Sequence, residues 1–495
     1  MPHDPRADVS VRFALRSPAR LKTELLAGLV VALALIPEAI AFSVIAGVDP
    51  RVGLFASVTM AITIAIVGGR PAMISAATAA VALVIAPVSE QYGVDHLIAT
   101  VILGGIFQVL LSFLGVAKLM RFVPRSVMVG FVNSLAILVF VAQIPHLVDV
   151  PWMVYPLVAA GLLVLVLLPR ITEAVPAPLV TIVLLTVVTV AFSLNVPDVA
   201  DQGELPESLP SLFLPDVPLT FETLRILAPY ALAMALVGLM ESLMTAKLVD
   251  DITDTRSDKT REGWGQGIAN IVTGFFGGMG GCAVVGQTMM NVKVSGARTR
   301  LSTLAAGVFL LILVVALGDI VGLVPMAALV AVMIMVSIAT VDWHSVHPRT
   351  LRLMPLSETV VMVVTVVATV STGNLAIGVS LGVLTAMVLF ARRVAHMTTV
   401  ERTLTSDDTC TYRVTGELFW ASSNDLVFQF DYVGDPENVV VDLTDADIWD
   451  ASTVATFDAI QQKYAAKGKT VTIVGLDGAS LDRLRRLSGR LGGEH

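Results

Sequence analysis

From Leu25 to Val394 this chain is a succession of apolar runs, and their number decides what it can become. A run that crosses a bilayer as a helix needs about 20 mostly apolar residues at a rise of 1.5 Å each. Ten longer runs extend from Leu25–Val48 to Leu375–Val394. Four shorter ones, Val52–Val67, Ala72–Val88, Gln266–Phe276 and Ala283–Val292, bring the set to fourteen. Charged residues make up only 15% of the chain, against about 25% in soluble domains. The expected class is a polytopic α-helical membrane protein in the cytoplasmic membrane. The polar stretch before Leu25 is too long for a secretory signal peptide, so the first run is read as an anchor that stays.

Charge placement orients the runs. With the N-terminus inside, the inside connections hold Arg16, Arg20, Lys22, Arg70, Lys118, Arg121 and Arg125, and further Lys and Arg up to Arg393. The outside connections hold only Arg51 and Arg225. This is the positive-inside asymmetry, and it requires an even number of spans with both termini cytoplasmic. The outside loop Asn195–Glu222, rich in Pro, Asp and Glu, leaves seven runs on each side. Seven is odd, so the second half inserts upside down relative to the first, the inverted-repeat plan of many secondary transporters. The repeats fall at about residues 25–196 and 224–396, after a cytoplasmic segment 1–24.

Beyond Arg393 the composition changes. Residues 404–491 alternate strands such as Asn438–Asp442 and Thr470–Val474 with helical stretches Ser452–Ala466 and Ser480–Gly489. That alternation predicts a small cytoplasmic α/β domain. Cys282 and Cys410 are the only cysteines and form no metal-type spacing. No basic stripe interleaved with aromatics points to nucleic acid.

Two runs are interrupted where a substrate site is expected. The third follows Gly68-Gly69-Arg70-Pro71 and contains Ser75-Ala76-Ala77-Thr78. The tenth follows Gly277-Gly278-Met279-Gly280-Gly281 and begins with Cys282-Ala283-Val284. Gly and Pro before such runs predict extended chain giving way to a half-helix inside the membrane. Its free N–H groups and positive dipole end suit an anion, and in an inverted repeat two such ends face each other. The candidate anion site is therefore Ala76, Ala77, Thr78, Gly281, Cys282 and Ala283, with Gln287 a turn further along. Small residues at these positions equally serve tight helix packing.

Two acids stand in counterpart runs, Glu38 in the first and Glu241 in the eighth. A carboxylate at the centre of a membrane helix costs roughly 2.5–3.5 kcal/mol on insertion scales and is rarely passive. Both are candidates for proton coupling. Glu241 with Thr245, four residues on and on the same helix face, is alternatively an oxygen-ligand site for Na⁺. Asn133 and Gln108 read as polar packing contacts, and Lys293, Arg298 and Arg300 as topology determinants.

These residues resemble the SulP (solute carrier 26) anion transporter family. Ala32–Ala41, with Pro37 and Glu38, is similar to its first-helix motif, and Asn270–Gly278 followed by Gly281-Cys282-Ala283 to its signature near the tenth segment. Gly416–Ala421, Val441–Asp445 and Ile448–Ser452 resemble a STAS domain. The resemblance implies core and gate domains in fourteen segments, half-helices in segments 3 and 10, and homodimers. It also implies an anion site between segments 3 and 10, bordered by Glu38 and Glu241. Many relatives that carry sulfate or chloride have an Arg near Gln287. The glutamine here favours the bacterial symporter branch that handles bicarbonate or C4-dicarboxylates. In related STAS domains the serine after the acidic loop is phosphorylated, which makes Ser452 a modification candidate or simply the cap of the following helix.

The expected function is proton-coupled import of a small carboxylate-type anion such as fumarate by alternating access. Sodium-coupled bicarbonate uptake is the alternative. A membrane sensor whose STAS domain binds a regulatory protein without net flux is the competing class. No nucleophile–base pair or metal cluster argues for an enzyme.

Overall fold

Pro18, Ala19 and Arg20 open a helix that runs to Ile45 without a break, although Pro37 lies inside it and deprives the carbonyl of Leu33 of its usual N–H partner. This is α1. The computed structural model describes residues 11–115, 123–171, 176–205, 208–218, 220–316, 318–395, 398–423, 426–476 and 478–488. Lys118 and Arg121, counted above among the inside charges, and residues 489–491 of the expected STAS range lie outside the described residues. The chain forms two compact units, Met1–Val383 and Leu384–His495.

In the first unit α1 is followed by α2 (Pro50–Val67), strand β1 (Ser75–Ala76), α3 (Ala79–Tyr92), α4 (Val94–Phe113), α5 (Arg125–Val141), α6 (Val154–Ile171) and α7 (Ala177–Ala191). The second half repeats the series: α8 (Phe221–Thr253), α9 (Lys259–Phe275), β2 (Cys282–Ala283), α10 (Val285–Met289, continued by a π turn to Val294), α11 (Arg300–Ala316), α12 (Met326–Thr340), α13 (Leu356–Thr372) and α14 (Leu375–Ala395), whose residues from Leu384 onward belong to the second unit. Seven of these helices are long and apolar enough to cross a bilayer, and five more are shorter apolar helices. The other two, α9 and α10, are the charged-ended and the interrupted member of the second half.

The packing repeats with a seven-helix offset. The α1–α11 pair is mirrored by α8–α4, α2–α11 by α9–α4, and α5–α13 by α12–α6. An inverted repeat of seven plus seven segments has this signature. At the α4–α9 contact a Cβ on Gly105 would sit 2.6 Å from the carbonyl oxygen of Gly267, and one on Gly267 2.6 Å from that of Gly105. Two glycines let these backbones touch, as small residues do between membrane helices.

The element bounds differ from the sequence reading at the interrupted segments. The third run was expected from Ala72, yet its helix starts only at Ala79, because residues 73–78 are spent on extended chain and β1. The eighth helix continues five residues past Leu248 and ends where Asp254 adopts a left-handed conformation.

In the second unit a four-stranded sheet has the order β3 (Thr399–Ser406), β4 (Thr409–Leu418), β5 (Asn438–Ile448), β6 (Thr470–Val474). β3 and β4 are antiparallel, and the other pairs are parallel. Buried side chains alternate along β5 as Val439, Val441 and Leu443, then change phase to Ala446 and Ile448. The register shift opposite Arg413–Thr415 is responsible, since it leaves one extra residue on β5. Helix α15 (Ala451–Ala465) covers the sheet and α16 (Gly478–Leu487) closes it. The cap of α15 corrects the sequence reading. Asp450, not Ser452, accepts from the N–H of Thr453 at 3.0 Å, and Ser452 is exposed as the second residue of the helix.

Asp435, just before β5, is buried and accepts from Tyr412 (2.8 Å), Tyr464 (2.5 Å) and Arg402 Nε (2.8 Å). Burial pushes its carboxyl up, but these three donors together hold it below the usual carboxylate range.

Candidate functional site

The two interrupted segments meet as strands. β1 and β2 pair antiparallel, Ser75 opposite Ala283 and Ala76 opposite Cys282. Two strand residues cannot hold such a crossing alone, and helix side chains brace it. Ser57 on α2 accepts from the N–H of Ala77 (3.2 Å), and Ser242 on α8 from that of Ala283 (3.1 Å). Gln266 on α9 donates to Ser75 Oγ at 2.7 Å. Thr288 on α10 accepts from the N–H of Ile74 at 3.0 Å. Asn270 on α9 clasps Gly281 from both sides: its Oδ1 accepts the Gly281 N–H (2.8 Å), and its Nδ2 donates to the Gly281 carbonyl (3.0 Å) and to Gln108 (2.8 Å). Gln108 is thus the packing contact expected, as is Asn133, which bonds Ser345 and the N–H of Asp342.

Gly281, named from sequence among the candidate anion-site residues, is filled by the chain itself. A Cβ there would lie 1.9 Å from the carbonyl oxygen of Ala76. Ala76, Ala77, Thr78, Cys282 and Ala283 are likewise buried. The open place is one the sequence reading passed over. Val285 and Gly286, the first turn of α10, are exposed, and a Cβ on Gly286 would meet nothing within 4 Å. The two half-helices also differ in their caps. Thr78 Oγ1 accepts from the N–H of Val81 at the start of α3 (3.4 Å), whereas Val284 gives α10 no side-chain cap.

Both acids reach this crossing, half-buried, and both are met by side chains of segment 10. Gln287 Nε2 donates to Glu38 Oε1. The Cys282 thiol donates to Glu241 Oε2 at 2.9 Å, and Thr78 Oγ1 lies 3.1 Å from the same sulfur. Thr245 is fully buried and donates to the main-chain carbonyl of Glu241 at 2.8 Å, the i to i−4 bond of a helical threonine. The structure therefore brings Glu38, Gln287, Glu241, Cys282 and Thr78 together, and turns the Thr245 hydroxyl's proton onto its own helix.

Two further buried acids escaped the sequence reading because each lies just outside an apolar run. Glu262 on α9 accepts from the N–H groups of Gly69 (2.7 Å) and Arg70 (2.8 Å), and Glu24 on α1 from those of Arg298 (2.9 Å) and Thr299 (3.2 Å). The Arg70 guanidinium bonds Asp250 at 3.0 Å, and Lys259 bonds the same carboxylate at 2.8 Å. Arg261 donates to the carbonyl of Val67 (3.1 Å), and Arg300 to those of Ala65 (3.3 Å) and Gly68. These cations end α2, complementing its negative dipole end. Arg298 and Arg300 have structural partners beyond topology.

A seven-plus-seven helical bundle with crossed half-helices, joined to a small α/β domain, defines a multi-pass anion transporter with a STAS tail. The comparisons agree. The sulfate permease family model matches residues 21–365, and the STAS domain model matches residues 402–488. The chain belongs to the sulfate permease family, which is the SulP family of the sequence motifs.

The chain is 49% identical over 468 residues, 94% of its length and 97% of the relative's, to YbaR of Bacillus subtilis, whose name assigns it provisionally to sulfate transport. It is 24% identical over 528 residues, 94% and 91% of the two chains, to the bicarbonate transporter BicA of Picosynechococcus. Among solved structures, the transmembrane domain of a cyanobacterial BicA aligns with a TM-score of 0.65 at 25% identity, over 73% of this chain and 98% of that one. SLC26A9 aligns with a TM-score of 0.79 over 97% and 89% of the two chains; at 15% identity it shows the shared fold alone. The chain is a transporter, not an enzyme.

Proposed function

We propose that this protein is a secondary active transporter that imports a small organic anion, a C4-dicarboxylate such as fumarate, together with protons. It works in the cytoplasmic membrane, with both termini inside, as a homodimer. The observation that carries the reading is the pairing of Glu38 with the neutral amide of Gln287 at the open first turn of α10. The uncapped N–H groups of that turn attract an anion. Among the described residues no guanidinium bonds Glu38 to hold it permanently as the carboxylate, so the acid is free to carry the coupling proton. Movement of α1–α4 and α8–α11 against the remaining helices gives alternating access. The similarity to the proton-coupled fumarate symporter of Deinococcus, in the same family, belongs to this proposal.

Sodium-coupled bicarbonate symport is the second reading, supported by the likeness to the bicarbonate transporter BicA in sequence and in solved structure. In it, Glu241 and Thr245 supply oxygen ligands to Na⁺. The STAS domain, with exposed Ser452 as a modification site, is then where a regulatory protein binds.

The test is uptake of labelled fumarate, bicarbonate and sulfate into proteoliposomes under separate inward proton and sodium gradients. Fumarate accumulation driven by protons, and abolished in Glu38→Gln, supports the first reading. Sodium-driven bicarbonate accumulation lost in Glu241→Ala establishes the second. Absence of flux for every anion and gradient refutes both and returns the sensor class.

A further inference from the structure

Gln287 has an unused hydrogen-bonding atom. Its side chain is 4% exposed and its Nε2 donates to Glu38, yet its Oε1 has no partner. A buried amide oxygen left alone costs about 1–3 kcal/mol. The other acid's partner has no such vacancy, since the Cys282 sulfur lies between Glu241 and Thr78 and bonds both.

We infer that Gln287 is the positioning residue that accommodates both protonation states of Glu38, and that this makes Glu38, rather than Glu241, the acid that cycles; the inference rests on the proton-coupled reading above. While Glu38 is a carboxylate, Nε2–H donates to it. When Glu38 takes a proton from hydronium, leaving water, its new O–H donates to the waiting Oε1 while the other carboxyl oxygen keeps Nε2–H. An acid and a primary amide close such a ring without any charge on the amide side. An Arg here has only donors, and a Met has none. Because Gln287 lies in the first turn of α10, the protonation state of α1 is read at the open turn where the anion is expected.

The charged groups on the elements packed against α1 stand toward helix ends. They are Arg51 on α2, Glu90 on α3, Lys293 in the turn after α10, Arg300 on α11, and Arg12 and Arg16 on the short helix Val11–Arg16. α1 itself adds Arg20, Lys22 and Glu24, while α7 and α12 carry none. The hydrogen bond to the Glu38 side chain comes from Gln287.

The test is pH-difference infrared spectroscopy on the purified full-length protein, which reads the acid directly and needs no substrate. A carboxylic-acid C=O band that disappears in Glu38→Gln identifies Glu38. In Gln287→Met, close in shape, that band moves to higher wavenumber, and the amide C=O signal that accompanies it in the wild type is lost. Should Gln287→Met fail to purify as a single species, Glu38→Asp withdraws the carboxyl from the amide by one methylene and gives the same shift. A Glu38 band unchanged in these variants overturns the inference and leaves proton coupling standing. Failure of any Glu38 band to titrate overturns both.

Discussion

Substituting Gly281 by alanine tests whether the β1–β2 crossing sets the geometry of transport. The added Cβ would lie 1.9 Å from the carbonyl oxygen of Ala76, 2.6 Å from its carbon and 3.0 Å from the N–H nitrogen of Ala77. Real Cβ contacts essentially never fall under 3.0 Å, so the strands must part by at least 1.1 Å at this point. The atoms in the way are backbone, which cannot swing aside as a side chain does. Overpacking of this kind costs about 1–3 kcal/mol. If the Asn270 bonds to the Gly281 N–H and carbonyl are lost as well, each adds about 0.5–1.5 kcal/mol.

The functional loss should exceed the loss in stability, because displacements of about 1 Å at a reacting or binding centre cost about 100-fold. Gly286→Ala is the internal control, since its Cβ would meet nothing within 4 Å. The assay pairs thermal unfolding in detergent with proteoliposome uptake of whichever anion the wild type accumulates. The expected result is a lowered midpoint and at least tenfold slower uptake for Gly281→Ala, with a wild-type midpoint for Gly286→Ala. Wild-type uptake and midpoint in Gly281→Ala would refute the reasoning.

Three other outcomes follow from the same geometry. Asn270→Leu removes three hydrogen bonds from the crossing, including both to Gly281, and should cost about 1–3 kcal/mol of stability by chemical denaturation; an unchanged denaturation midpoint contradicts it. In the STAS domain, Asp450→Ala should cost about 0.5–2 kcal/mol as a lost helix cap, whereas Ser452→Ala, exposed and not the cap, should leave unfolding unchanged; equal losses would return the cap to Ser452. Burial pushes up the phenols of Tyr412, Tyr432 and Tyr464, Tyr432 to about 12, and the bond to Asp435 adds to the rise at Tyr464. These groups favour the folded state while protonated, so their contribution is full below pH 10, their ordinary value, and is lost as pH climbs beyond it. Phenolate absorbance should accordingly still be developing above pH 10, and a titration that is complete by about pH 10 would contradict the structure.

The span count, the inverted repeat and the place of the crossing were legible in the sequence because each leaves a mark on composition. Apolar runs measure bilayer thickness, Lys and Arg mark one side, and glycine-rich stretches before Ala76 and Cys282 announce extended chain. Partnerships leave no such mark. Nothing in the spacing shows that Gln287 meets Glu38 across 249 positions, or that Asn270 clasps Gly281, although Asn270 opens the segment whose pattern carried the family resemblance. Glu24 and Glu262 were missed because acids just outside the apolar runs look solvated in sequence. Gly281 and Gly286 look alike in sequence as well, and only the neighbouring backbone separates the filled position from the open one.

The two acids show where the repeats have parted. Glu38 and Glu241 occupy counterpart helices, and the bundle around them retains its seven-helix offset, yet their partners come from the same segment. Segment 10 supplies Gln287 to one and Cys282 to the other, while segment 3 contributes only Thr78, through the Cys282 sulfur. Strict symmetry would have segment 3 serve Glu241 as segment 10 serves Glu38. Its helix is instead capped by Thr78, and that of segment 10 is left uncapped and open. A site built this way has one half that holds the crossing together and one half that can respond to charge. Exchanging the caps is the corresponding experiment: Thr78→Val should loosen the crossing and lower the unfolding midpoint. Val284→Thr should cap α10 and weaken anion uptake without lowering that midpoint. If both variants behave alike, the division between a structural and a responsive half-helix is wrong.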